Sequence, residues 1–257
     1  MPETKSQTTP NGVEIILGAN HQYRIVGDPN IPKGRIPGVT SVIRESSGSS
    51  LEPLMRWSRN LIYETARDHF INMPYLGYSD WDEYVSNTMD LARQEPDLRR
   101  DLGGAKGTAV HNAIEEGRPD YPEAVAALSF LSENNLHTIS TEFYVYSAKH
   151  VYAGSIDLLA QPLEDDRVLI LDWKTGYVDD GCALQIGAYA LAFGEMYPDL
   201  KIDGGIVQLD VSDENSPRYN YFPVNIGYAQ EQFLIARQLY ASRREKDDAG
   251  KSRKLWT

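Results

Sequence analysis

Residues 167–173 read Arg-Val-Leu-Ile-Leu-Asp-Trp, four consecutive aliphatic side chains that end on a carboxylate. A strand with no polar face has to be covered on both sides, as strands are in sheets flanked by helices. That one segment points to an α/β architecture. The neighbouring pattern agrees: residues 141–147 and 151–160 read as paired strands, a helix is expected from Asp180 to Met196, and strands at 203–211 and 218–224 precede a helix from Gly227 to Lys246. A mixed central sheet with helices on both faces buries these elements most economically.

The first half has a different rhythm. Residues 13–17 and 21–26, separated by Gly18, Ala19 and Asn20, predict a β-hairpin. Helical spacing of Leu51, Leu54, Met55, Trp57, Leu61, Ile62 and Ala66 predicts a helix capped by Ser50. A second helix is expected to start near Ser79, whose spacing to Asp82 resembles a capping box. Further helices are expected from Gly104 to Glu116 and from Pro122 to Asn134, the proline suiting a first helical turn. The expected organisation is therefore a flexible tail at 1–12, an N-terminal hairpin and helical lobe at 13–103, a core at 104–246 and a basic tail at 247–257.

Composition narrows the function. Twenty-five Lys plus Arg against 37 Asp plus Glu give a formal net charge of −12, which argues against binding nucleic acid through bulk positive charge. A local site is still open. The single cysteine, Cys182, excludes an intramolecular disulfide framework and any four-cysteine zinc or iron–sulfur centre, and it fits a reducing cytoplasm. No apolar run reaches the roughly 20 residues that cross a bilayer, so no membrane partner is expected.

The chemistry concentrates where the apolar strand ends. In a strand, Asp172 and Lys174 share a face while Trp173 points away. Together they suit holding a hard divalent cation and orienting or deprotonating a water; the plain alternative is a strand-end salt bridge. Asp157, flanked by Ile156, Leu158 and Leu159, reads as a carboxylate on a mostly buried strand, which needs a partner. If the two strands are neighbours, Asp157 and Asp172 repel unless a cation or proton sits between them. Gly107 and His111 lie one turn apart on a helix, the glycine leaving room for close approach by a backbone or nucleotide. Gln185 and Tyr189 share another helix face.

In order, the chain carries Gly107-x-x-x-His111, Glu142, Gly154-x-x-Asp157, Asp172-x-Lys174-Thr175 and Gln185-x-x-x-Tyr189. This ordered set resembles the PD-(D/E)XK nuclease superfamily, specifically its RecB-like branch with the phage and mitochondrial-type exonucleases, over residues 104–195. The segment Pro37–Ile43 resembles the opening of those members more loosely.

The resemblance implies a restriction-endonuclease-like fold and a metal-dependent DNA exonuclease that acts on single strands or DNA ends in phage or bacterial replication, recombination or repair. It implies Mg²⁺ or Mn²⁺ held by His111, Asp157, Asp172 and the backbone carbonyl of Trp173. Lys174 would position or activate water, Gln185 and Tyr189 would support substrate, and Glu142 matches an acid often found on the first core strand. With one cysteine, the chain looks like the kind without an iron–sulfur cluster.

Two other readings stand beside this one: a duplex-resecting 5′ to 3′ exonuclease working with a single-strand annealing or replication partner, and a non-catalytic nucleic-acid-binding module of the same fold. DNA contacts are expected from Arg99, Arg100 and Lys106, with Gly107, ahead of His111. Residues 50–100 suit a helical arch over a single strand. Its aromatics Trp57, Tyr63, Tyr75, Tyr78 and Trp81 are expected mostly to pack in a core, with base stacking as the functional alternative. The acidity predicts weak non-specific affinity and dependence on ends, local basic clusters or a partner for loading.

Overall fold

The computed structural model describes residues 5–18, 22–46, 52–72, 78, 80–213 and 215–244. In chain order the elements are β1 (Lys5–Thr8), β2 (Glu14–Gly18), β3 (Gln22–Val26), β4 (Arg35–Ile36), α1 (Val39–Ser46), α2 (Glu52–Asn72), α3 (Trp81–Glu115), α4 (Pro122–Glu133), β5 (Leu136–Ser147), β6 (Tyr152–Pro162), β7 (Val168–Lys174), α5 (Asp180–Met196), β8 (Ile202–Asp210), β9 (Arg218–Pro223) and α6 (Ile226–Ser242). The class is α/β, as the apolar run at 167–173 requires. Among the described residues no helix is long and apolar enough to cross a membrane.

The chain divides into two compact units, Met1–Ser47 with His111–Thr257, and Gly48–Val110. In the first unit the main sheet has the order β5-β6-β7-β8-β9. Only β7 and β8 are parallel, joined by the crossover helix α5; the other pairs are antiparallel.

Alternation along β7 accounts for both layers. Ile170 faces α5 and belongs to a core with Val39 and Val42 of α1, Ile186 of α5 and Phe233 of α6. Trp173 faces the other way, its ring edge-on to that of Phe130 on α4 at 6.1 Å, and Phe130 also meets Tyr219 edge-on and Tyr221 at a tilt. Burial of an aromatic side chain of this size contributes about 2–3 kcal/mol. The sheet is thus covered on both faces.

The N-terminal segment differs from expectation. Lys5–Thr8, read as part of a flexible tail, is a strand, and with the expected hairpin and β4 it completes a four-stranded antiparallel sheet. That sheet packs Val13, Ile15, Tyr23 and Ile25 against Tyr144 of β5 and Ala153 of β6, so the hairpin belongs with the core and not with a helical lobe. Lys-Ser-Gln-Thr shows no apolar alternation; what recruits it is side-chain chemistry. The Gln7 amide accepts from Tyr144 N at 2.8 Å and donates to Tyr144 O at 3.1 Å, standing in for a strand partner. Residues 39–46, for which no helix was expected, form α1, with Ser46 Oγ donating back to Val42 O at 2.6 Å.

The helical segments also fuse. No break occurs at residues 103–104: α3 runs unbroken from Trp81 to Glu115 through Pro96, Gly103 and Gly104. The expected boundary at 103/104 therefore falls inside a helix. Proline removes one hydrogen bond to a carbonyl four residues back, yet the turns on either side hold the helix in register. Asp80 caps α3, its Oδ1 accepting from Glu83 N at 2.7 Å. Ser50 and Ser79 lie outside the described residues, as do Tyr75 and the tail at 247–257.

Within the second unit the aromatics are less buried than a core role requires: Trp57, Tyr63 and Trp81 are exposed. Tyr78, Trp81 and Phe70 gather around Tyr84, which is buried.

Candidate active site

The apolar strand carries Asp172 inward until it is only 1% exposed. A carboxylate so placed needs partners, and two side chains answer. Gln185 of α5 donates from Nε2 to Asp172 Oδ1 at 3.0 Å and from the same amide to Tyr189 Oη at 2.8 Å. Lys174, two residues on and on the same face, forms an ion pair with Asp172 Oδ2. The two carboxylate oxygens are thus held differently, Oδ1 by the Gln185 amide and the buried Oδ2 by the Lys174 ammonium.

Asp157 joins from β6. Its Oδ2 accepts from Trp173 N at 3.1 Å, so a side chain replaces a ladder bond at this point of the β6–β7 pair, whose paired stretch includes Leu158↔Leu171. Burial first, and then the Asp172 carboxylate, push Asp157 well above the usual carboxylate range, against the pull of Lys174 and of the Trp173 N–H. Two carboxylates in this relation store repulsion that a proton or cation relieves.

Burial opposes the charge of Lys174, but the Asp172 carboxylate outweighs it, with Asp157 adding to the effect, so the ammonium is held more firmly than in an ordinary lysine. Lys174 is therefore a cation that donates hydrogen bonds near neutral pH. The base role that its position also suggested is not the one this environment favours.

His111 enters on the last turns of α3. Glu115, one turn further on, accepts from Thr141 Oγ1 of β5 at 2.9 Å and ties the helix end to the sheet. Burial lowers the His111 pKa, more than the Asp172 and Glu142 carboxylates raise it. A neutral imidazole within electrostatic reach of two acids is a competent ligand nitrogen.

Glu142 sits on β5 with φ of 49°, a left-handed conformation that few residues other than glycine adopt in a strand. Its Oε2 lies 3.8 Å from Lys5 Nζ, and Gln7 clamps Tyr144 two residues along. Strained backbone beside a cluster of charges is the pattern of a site, held here by the N-terminal sheet. Neither Lys5 nor Gln7 was singled out from the sequence, because a short polar segment carries no periodic signal.

Other expected residues fall elsewhere. Tyr189 is 3% exposed, with its ring against Gly154, so it supports Gln185 from the core and has no face for substrate. Arg99, Arg100, Lys106 and Gly107 lie in the second unit. There Arg99 donates to Glu95 at 2.6 Å and Arg100 lies 3.0 Å from Asp97, so acids on the same helix offset both arginines. A side chain built on Gly107 would meet nothing within 4 Å. Near the chain end, Arg244 pairs with Glu45 at 2.7 Å, which fits a solvated helix end.

A metal fits the chemistry of the cluster more than its present arrangement. A neutral imidazole and two buried carboxylates, one of them paired with Lys174, make a mixed nitrogen–oxygen donor set. Yet among the described residues no three His, Cys, Asp or Glu side chains converge to enclose an ion. No protein-family model matches the sequence, and no curated protein matches it closely enough to define a relationship.

Proposed function

We propose that the chain is a metal-dependent deoxyribonuclease of the PD-(D/E)XK type, an exonuclease acting on single-stranded DNA or DNA ends. The observation that carries this reading is geometric: at the end of β7 Lys174 is ion-paired with the buried Asp172, and Asp157 of β6 accepts from the intervening Trp173 N. The main sheet supports it: β5, β6 and β7 run antiparallel, and a crossover helix then leads to a parallel β8, the order a restriction-endonuclease-like core calls for.

His111, Asp157, Asp172 and the Trp173 carbonyl would hold Mg²⁺ or Mn²⁺. When bound, the ion supplies positive charge to the scissile phosphate and acidity to a water. Gln185, anchored by Tyr189, fixes Asp172 Oδ1 and leaves Oδ2 as the exchangeable ligand atom. Lys174 neutralises that oxygen in the resting protein. Released from it, the ammonium orients the attacking water and donates a hydrogen bond to a phosphate oxygen, which suits its firmly held proton. Glu142 adds a carboxylate on the His111 side. Action in the cytoplasm, with a replication or annealing protein as partner, belongs to the same proposal.

The test is cleavage of end-labelled single-stranded, duplex and flap DNA in Mg²⁺ or Mn²⁺. The proposal expects 5′-phosphate products whose release requires Asp172 and Lys174. Products of equal yield from Asp172→Asn and Lys174→Ala proteins would contradict it.

A further inference from the structure

We propose that the recess at the open end of the β7–β8 pair is a pocket for one unstacked nucleobase of the strand being cut. The proposal rests on the nuclease reading and deepens it, by saying which part of the substrate lies beside the acid–lysine cluster.

Register places the recess. Asp172 pairs with Ile206 and Lys174 with Gln208 across the parallel strands, and Ile206 pairs in turn with Phe222. Cross-strand partners point to the same face about 4.8 Å apart. Ile206, Gln208 and Phe222 therefore continue the surface that carries Asp172 and Lys174. Together with Tyr177, Asp179 and Asn225 they line a cavity of about 580 Å³, within the size range of small-molecule sites. An occupant here sits one strand away from the cluster.

The lining selects the occupant. Tyr177 is 87% exposed and Phe222 is 42% exposed, so two aromatic rings present free surface. The carboxylates of Asp179 and Asp180 lie at the same recess and no lysine or arginine among the described residues lines it, which disfavours a phosphate. A flat, uncharged ring suits stacking on such residues. The Gln208 amide is oriented by donation to Gly176 O at 2.8 Å, and the Asn225 amide by acceptance from Tyr228 N at 3.2 Å, giving fixed polar groups at the rim. Phosphate and base are thereby divided: the phosphate at Lys174 and the acids, its neighbouring base in the aromatic recess.

The experiment measures binding in Ca²⁺ by fluorescence anisotropy, with labelled single strands that each carry one abasic position moved stepwise along the strand. Wild type is expected to lose about tenfold in affinity at one position and little elsewhere. Tyr177→Ala should erase that positional effect, Phe222→Ala should reduce it, and Tyr177→Phe, which keeps the ring, should preserve it. Circular dichroism confirms that each variant is folded. Equal affinity at every position, no binding to any strand, or an unchanged profile in Tyr177→Ala would overturn the pocket. Cleavage in Mn²⁺ is read separately. A positional effect without any cleavage supports the base pocket and removes the nuclease reading, whereas cleavage without a positional effect does the reverse.

Discussion

The ring of Tyr189 lies directly on Gly154, so closely that a methyl group there would overlap Tyr189 Cε1 and stand 3.0 Å from Cδ1 and 3.1 Å from Val39 Cγ2. The glycine is required by packing, since its own φ is not left-handed. What rides on the contact is a chain of hydrogen bonds from Tyr189 through Gln185 to Asp172.

Gly154→Ala is therefore expected to cost about 1–3 kcal/mol, in the range of overpacked cores, and to tilt Tyr189 away from Gln185. Thermal unfolding checks the first part. Cleavage by the folded fraction checks the second, and it should fall further than the loss of folded protein explains. Tyr189→Phe, which keeps the ring and removes only the hydroxyl, should unfold within about 1 kcal/mol of wild type.

Removing one partner of a buried ion pair strands the other. Lys174 is about a quarter exposed and Asp172 almost wholly buried, so Lys174→Met is expected to destabilise by about 2–3 kcal/mol, below the cost for a fully enclosed pair. Mn²⁺ should recover part of that loss and raise the melting temperature of this variant more than that of wild type. Differential scanning fluorimetry with and without Mn²⁺ measures both effects.

Asp157 gives the pH dependence. Its folded pKa lies above the unfolded value, so the folded state binds more protons and metal-free stability falls as pH rises from below about 4 towards neutrality. Asp157→Asn keeps an acceptor for Trp173 N and removes the charge. In EDTA at neutral pH it should melt above wild type, with about 2–4 °C gained for each kcal/mol of relieved repulsion. The difference should shrink as pH falls below about 4, where Asp157 is protonated in both states. Cleavage should nevertheless be lost, and melting curves across pH alongside the assay show whether stability and activity part in this way.

The N-terminal sheet makes a prediction of its own. Gln7→Ala removes two hydrogen bonds to Tyr144 and should cost about 1–2 kcal/mol. If that clamp holds Glu142 in its left-handed conformation, the variant should also show faster amide exchange at residues 142–146, read by hydrogen–deuterium exchange.

Much of the core was legible in the sequence because its signals are local. The Val168–Lys174 strand, the helix from Asp180 and the face shared by Asp172 and Lys174 follow from composition and from a period of two or 3.6 residues. What escaped depends on tertiary context. Lys5–Thr8 becomes a strand only because β2 and the Gln7 amide receive it. The helix at 81–115 runs through Pro96 and three glycines, where the sequence suggests a fresh start at Gly104. Tyr189 carries a polar hydroxyl that suggested substrate contact, whereas its position opposite Gly154 puts that hydroxyl in the core as an anchor for Gln185.

Asp172 and its neighbours are proposed to cut phosphodiester bonds with a divalent cation. Protein stripped with EDTA is mixed with end-labelled single-stranded DNA, Mn²⁺ is added back, and products are resolved over time for wild type and for Asp172→Asn shown to be folded. The expected result is no cleavage before Mn²⁺, cleavage after it in wild type, and a rate at least about 100-fold lower in the variant. Cleavage that ignores Mn²⁺, or that Asp172→Asn performs as fast as wild type, would contradict it.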